Sequence, residues 1–393
     1  MSYSAVMTQF PRRDFVRLAP IAIGAAGLAA GASAAGAEAR AVWLHLSSLF
    51  DADPGKGKEQ VRSIVQKLAE SNFNLVLPWV TSDYLVALEH AQYRKGQPGA
   101  AWDSLGVLIE ESARAGLSLD IWYAFTEYRN AASSDYDPRV GGDPKWAAMR
   151  ITEFRPDPKT GQIAPRKWED VCPQHPGMRK WQLSLLSKVL KRYPALGGIH
   201  IEEPGYTYRG NCLCDLCLEI FPKLYGGPLP DAVESLEAED FRTMGTSFFM
   251  AELLEILRKD YPRIVYSANG GPDWRADRKT GRDWGRWARS GWLDYYASQV
   301  YTTNTDLFRR RMKMTVTDLV PDCPVYAGIA FRWSGGKNTV DEVMRQIEAS
   351  REQGAAGVCL FYAGSFTGEF YQALRSGPFR TPAKLPQPKR LQG

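Results

Sequence analysis

Eight short apolar runs recur along this chain, and most are followed by residues in helical periodicity. Ala41-Val42-Trp43-Leu44-His45-Leu46 is the first. Residues 73–79, 117–125 and 198–203 are the next three. Residues 264–267, 293–301, 325–331 and 357–362 complete the set. Runs this apolar are what strands buried on both faces look like. Between them, residues 59–71 place Val61, Ile64, Val65 and Leu68 at helical spacing, and 105–115, 178–193, 239–259 and 340–352 read likewise. Such alternation predicts an α/β chain with a parallel sheet, and eight units predict a (β/α)8 TIM barrel. An open doubly wound sheet is the competing fold. It would want a Gly-rich phosphate turn after the first strand, where Ser47-Ser48-Leu49-Phe50 stands instead.

Two polar stretches interrupt the alternation. One, rich in Pro, Gly, Asp and Lys, runs over residues 126–172 after the third strand, and the other follows the fourth. Both fall on the face where barrel active sites are built. The catalytic-type domain is therefore expected over residues 40–377, with a flexible tail over 378–393.

Residues 1–39 read as an address. Arg12-Arg13-Asp14-Phe15-Val16 is a twin-arginine pattern, followed by an uncharged Ala/Gly-rich run and small-residue cleavage sites at Ala32-Ser33-Ala34 or Ala37-Glu38-Ala39. A membrane anchor is the other reading, but the run is Gly-rich and weakly apolar. The expectation is recognition by the twin-arginine translocation machinery, no stable membrane span after cleavage, and a periplasmic or secreted destination. That route carries folded proteins, which often acquire a metal beforehand. A net charge of +5 over 393 residues is too mild to argue for a nucleic-acid partner.

The chemistry concentrates at Gly198-Ile199-His200-Ile201-Glu202-Glu203-Pro204. Strand side chains alternate, so Ile199 and Ile201 share one side, and His200 and Glu202 the other. With the isoleucines toward the helices, His200 and Glu202 point to the barrel axis. A carboxyl there is costly to ionise, and its pKa should rise into the range of a proton donor. The plainer reading is a buried ion pair with Arg or Lys. Glycoside hydrolysis usually needs two carboxyls. Glu127, just after the third strand, is well placed to assist. Asp294 should sit ~16 Å from the mouth and be structural, as should Asp120. The seventh strand ends Ala330-Phe331-Arg332-Trp333 and offers no acid. Adjacent acids can instead serve substrate-assisted cleavage, one protonating the leaving group while the other orients an N-acetyl group. Candidate sugar-binding residues at or near strand ends are His45, Trp79, Tyr84, His200, Asn269, Gln299, Tyr301, Trp333 and Tyr362.

A second constellation is Cys212-Leu213-Cys214-Asp215-Leu216-Cys217. Its C-x-C and C-x2-C spacings suit a tetrahedral soft metal, with zinc the expected ion and a structural role. Cys172 or His175 would be the fourth ligand. A disulfide with one spare thiol is the competing reading in an exported chain. Cys323 and Cys359 read as core residues.

Several strands resemble the bacterial family-10-like glycosyl hydrolases. They are Arg40-Ala41-Val42-Trp43-Leu44, Phe73-Asn74-Leu75-Val76-Leu77, Gly198-Ile199-His200-Ile201-Glu202 and Ser298-Gln299-Val300-Tyr301. Tyr326-Ala327-Gly328-Ile329-Ala330 and Gly357-Val358-Cys359-Leu360-Phe361 continue the match. The resemblance implies an exported barrel acting on cell-wall or extracellular glycans. Members usually carry Asp at the end of the fourth strand, where this chain has Glu202. Glu203-Pro204 is similar to the acid-proline ending of the large retaining-glycosidase clan, whose seventh-strand glutamate is missing here. The expected function is an exported glycoside hydrolase acting on a polysaccharide, with Glu203 or Glu202 as general acid. The alternatives are a non-catalytic carbohydrate-binding barrel and a zinc-dependent hydrolase.

Overall fold

The computed structural model describes residues 36–46, 51, 53–89, 102–126, 143–150, 166–206, 210–230 and 235–392. Residues 1–35, which carry the twin-arginine pattern, and Glu127 lie outside the described residues. Among the described residues, no helix is long and apolar enough to cross a membrane.

The chain runs β1 (Ala39–His45), α1 (Pro54–Glu70), β2 (Leu75–Val80), α2 (Ser82–Glu89), α3 (Ser104–Arg114) and β3 (Ser118–Tyr123). An insertion follows, carrying the antiparallel pair β4 (Ala147–Arg150) and β5 (Arg166–Val171). Then come α4 (Pro176–Arg192), β6 (Gly198–Ile201), α5 (Asp215–Tyr225), α6 (Leu236–Asp260), β7 (Val265–Gly270), α7 (Trp274–Arg278), α8 (Trp284–Arg289) and β8 (Tyr295–Gln299). The chain closes with α9 (Thr305–Leu319), β9 (Val325–Ala330), the hairpin β10 (Arg332–Trp333) and β11 (Gly336–Lys337), α10 (Val340–Glu352), β12 (Gly357–Phe361) and α11 (Gly368–Ser376).

Strands β1, β2, β3, β6, β7, β8, β9 and β12 form one closed barrel, every neighbouring pair parallel. The eight apolar runs of the sequence are these eight strands. Period-two alternation sorts each strand into two layers. Val42, Leu44, Leu119, Ile121, Ile199 and Ile201 face outward into the helix-packed core. Ala41, Trp43, Leu75, Leu77, Trp122, Tyr295, Ala297 and Tyr326 fill the interior. Two glycines permit close approach. A Cβ on Gly357 would lie 2.2 Å from the Ala39 carbonyl where β12 closes on β1, and one on Gly198 would lie 2.5 Å from Asp120 Cγ.

Helix boundaries follow local chemistry. The Asp53 carboxylate accepts from Lys56 N ahead of α1, and Thr339 with Glu342 forms a reciprocal capping box at α10. Helix α9 buries Phe308, Met312, Thr315 and Leu319 at helical spacing and leaves Arg310, between them in sequence, exposed.

The C-terminal segment corrects the expectation of a flexible tail. It is bound across the amino-terminal face of the barrel. Lys384 N donates to Gly36 O at 3.0 Å, and Ala37 pairs with Lys384 as a parallel bridge. The Arg390 guanidinium holds the Asp294 carboxylate with two bonds of 2.8 Å. Asp294, which also accepts from Tyr266 N, is structural as expected.

Candidate active site

Glu202 follows β6 directly, and its backbone N–H extends the ladder to Tyr123 O at 2.9 Å. Its side chain sits at the mouth of the barrel. Trp122 Nε1 of β3 donates to its Oε2, and Asn269 Nδ2 of β7 donates to the same oxygen at 2.5 Å. Burial pushes the carboxyl up to about 8, and the neighbouring Glu203 charge adds to the rise. Near neutral pH the group therefore holds its proton. With both N–H donors on Oε2, that proton belongs on Oε1.

Glu203 is held by different partners. Its φ of +32° lies in the left-handed region that non-glycine residues rarely adopt. Its N–H donates to Asn269 Oδ1 at 2.7 Å, and its carbonyl accepts from Arg282 Nε at 3.2 Å. Its carboxylate forms an ion pair with Arg282 Nη2 at 2.5 Å. Asn269 thus grips both acids, one through each end of its amide. Arg282 is in turn 4.0 Å from Asp277, whose Oδ2 accepts from Gly271 N and Trp284 Nε1.

Aromatic rings surround the acids. Trp79 meets Trp122 edge-on at 4.3 Å between centroids, and His45 packs against Trp122 at 5.3 Å and Tyr362 at 5.2 Å. Phe361 stacks on Tyr301 at 5.4 Å, and Trp333 lies 6.3 Å from Tyr301. Burial lowers the His45 pKa, so its ring is neutral. Among the described residues the buried Tyr301 hydroxyl has no hydrogen-bond partner, and it lies within electrostatic reach of Glu202.

Two expected sugar-binding residues lie elsewhere. Tyr84 is in α2, its hydroxyl bonded to Ser104 Oγ and Leu105 N within the helix-packed core. His200 does face the axis but is wholly buried, stacked on Tyr295 at 5.6 Å and bonded to Ser267 Oγ at 2.8 Å. Burial lowers its pKa to about 3. Asn269 is likewise fully buried and acts on the acids. Gln299 ends β8 half-buried. Asp120, deep in the barrel, accepts from the Tyr295 hydroxyl at 3.2 Å, and burial pushes it up to about 7. Trp122, Phe361, Arg282 and Asp277 were not singled out from the sequence. Inward parity along β3 would have found Trp122, whereas Arg282 and Asp277 sit in a region with no period.

The cysteines meet beside this site. The ligand atoms of Cys172, Cys212, Cys214 and Cys217 all lie within 4.8 Å of one another, and all four residues are buried. Cys172 comes from the end of the β3–α4 insertion and the others from the β6–α6 insertion. His175 Nε2 is 3.6 Å from Cys214 Sγ.

The family model for Glycosyl hydrolase-like 10 matches residues 38–343. A similar protein, glycosyl hydrolase DigH of Escherichia coli O6:H1, is 22% identical over 249 residues. That alignment covers 58% of this chain and 50% of the relative, so the chain matches about half the relative's length. The glycoside hydrolase domain of PgaB (BpsB) from Bordetella bronchiseptica shares the fold at a TM-score of 0.61 and 13% identity, covering 86% of this chain and 96% of that one. The α-L-fucosidase isoenzyme 2 of Paenibacillus thiaminolyticus does so at 0.57 and 14%, covering 86% and 48%. The β-galactosidase of Marinomonas ef1 does so at 0.58 and 11%, covering 85% and 58%.

Proposed function

The chain belongs to the glycosyl hydrolase-like 10 family, and from that premise we propose that it is an exported glycoside hydrolase with Glu202 as its general acid. The observation that carries this is the division of labour between adjacent acids. Glu202 takes two N–H donors on one oxygen, and burial favours its protonated form. Glu203 is paired with the Arg282 guanidinium at 2.5 Å. Two acids whose environments differ in this way suit a proton donor and a hydrogen-bonding assistant.

The substrate is a polysaccharide bearing 2-acetamido groups. Among the described residues, the turn after β9 supplies no carboxylate, so an opposed nucleophile is not built there. In substrate-assisted cleavage the acetamido oxygen attacks the anomeric carbon as the glycosidic C–O bond breaks. The Glu202 Oε1 proton passes to the leaving oxygen, and Glu203 accepts the acetamido N–H. Water then opens the cyclic intermediate and returns a proton to Glu202. The aromatic ring of His45, Trp79, Tyr362 and Trp333 would stack on the sugar faces, with the Tyr301 hydroxyl bonding a ring substituent. The twin-arginine pattern supports a periplasmic or secreted site of action.

The test is cleavage of peptidoglycan strands and N-acetylated exopolysaccharides by wild type, Glu202→Gln and Glu203→Gln. Full activity in both variants sinks the assignment. The missing second acid after β9 favours a second reading, a carbohydrate-binding barrel. It predicts oligosaccharide binding without cleavage in the wild type.

A further inference from the structure

We propose that Cys172, Cys212, Cys214 and Cys217 bind one zinc ion, and that this ion fastens the two insertions at the barrel mouth to each other. A tetrahedral zinc–thiolate centre with Zn–S of about 2.3 Å separates its sulfurs by about 3.8 Å. Four buried sulfurs mutually within 4.8 Å already define such a cage. A disulfide explains the cluster less well. The Cys172–Cys217 pair stands at 3.4 Å, against ~2.05 Å for an S–S bond, and a disulfide would use only two of four converging thiols.

The surroundings suit thiolates. Cys214 is the N-cap of α5 and Cys217 lies in its first turn, where the helix end favours negative charge. His175 Nε2 beside Cys214, and the Tyr206 hydroxyl 3.9 Å from Cys172 Sγ, can donate to the outer sulfur lone pairs. Such outer donors offset the net negative charge of a four-thiolate zinc centre.

The ligands reveal the purpose. Cys172 and Cys212 stand forty positions apart in sequence, with β6 and both acids between them. Tyr206, three residues past Glu203, contacts Cys172 on one side, and its N–H donates to Thr280 O at 2.7 Å on the other. Thr280 stands two residues before Arg282, the partner of Glu203. The ion therefore anchors the loop that leaves the acids. Four protein ligands leave zinc no open position for water, so its role is structural and distinct from a zinc-dependent hydrolase.

Metal analysis of the purified full chain should give one zinc per chain, with a denatured mass showing all six cysteines as thiols. Chelation should lower Tm, and zinc should restore it. Cys214→Ala should lose the metal, whereas Cys323→Ala, a buried thiol outside the cluster, should keep it. If Cys214→Ala does not fold, cobalt substitution of the wild type keeps the question open to test. It should give intense thiolate-to-cobalt absorption with tetrahedral d–d bands. Three results would each overturn the proposal. These are a metal-free protein whose mass is short by two hydrogens, zinc retained at full occupancy by folded Cys214→Ala, and a stripped protein with unchanged Tm.

Discussion

Replacing Glu202 by Gln separates a stability effect from a catalytic one, and both can be sized. The glutamine carbonyl can accept the Trp122 and Asn269 hydrogen bonds that Oε2 accepts now. Its NH2 takes the place of Oε1, so shape is kept and ionisation is removed. In the wild type the folded pKa is about 8 against an ordinary 4.5. A folded pKa raised this way means Glu202 favours folding fully below pH 4.5. That contribution is lost progressively as pH climbs to 8, because the unfolded chain ionises first. At ~1.4 kcal/mol per pH unit the full loss would be about 5 kcal/mol, and a carboxyl at a half-open mouth should realise about 2–3 kcal/mol of it. Melting both proteins at pH 5 and pH 9 measures this directly. The variant should gain a few degrees over the wild type at pH 9 and none at pH 5. Asp120 and His200 titrate identically in both proteins and cancel in the difference. Glycan cleavage should fall roughly a hundred- to ten-thousandfold at pH 6, the range for losing a general acid. A Tm difference independent of pH would refute the raised pKa, and with it the reason for choosing Glu202 over Glu203.

Asn269→Ala should strip a donor from Glu202 and orphan the Glu203 N–H. Cleavage should drop roughly ten- to hundredfold. The alkaline limb of the pH–rate profile should move up, because the lost bond favoured the ionised acid. Asp120→Asn should stabilise the protein at pH 8 by about 2–4 kcal/mol and leave it unchanged at pH 3.5. Burial raises that carboxyl to about 7, so its support for folding is complete below 3.8 and is lost as pH rises through 7. Denaturant unfolding at the two pH values checks the sign. Gly198→Ala should lower stability by about 1–3 kcal/mol, since the new methyl would meet Asp120 at 2.5 Å in a packed barrel interior.

The barrel strands were legible because each is apolar on both faces, and β6 carried its acids into view at its own end. Features that depend on distant partners were not legible. The tail from Pro378 is polar enough to look loose, and only the structure shows Arg390 seated on Asp294 across 96 positions of sequence. His200 shows a subtler limit. Parity placed it correctly on the axis, but parity says nothing of depth. Two residues of strand, about 6.6 Å, separate its closed aromatic stack from the open mouth at Glu202. Tyr84 shows the same limit, since an aromatic residue soon after a strand end looks like pocket wall in sequence, whereas helix α2 carries it into the outer core.

The site itself has a simple logic once Asn269 is seen in it. Two adjacent glutamates in one strand end would ordinarily repel and share one ambiguous titration. Here one amide takes the Glu203 N–H with its oxygen and gives its NH2 to Glu202. With it the Glu203 backbone holds φ +32° and its carboxylate pairs with Arg282, while Glu202 stays bonded to Trp122. The strained backbone, the ion pair and the bonds to Glu202 are one arrangement, in which each carboxyl has partners of its own. A carboxyl rather than an amide at this mouth is what the proposed proton-donating role requires. An ordinary Gln at position 202 would satisfy Trp122 and Asn269 equally well.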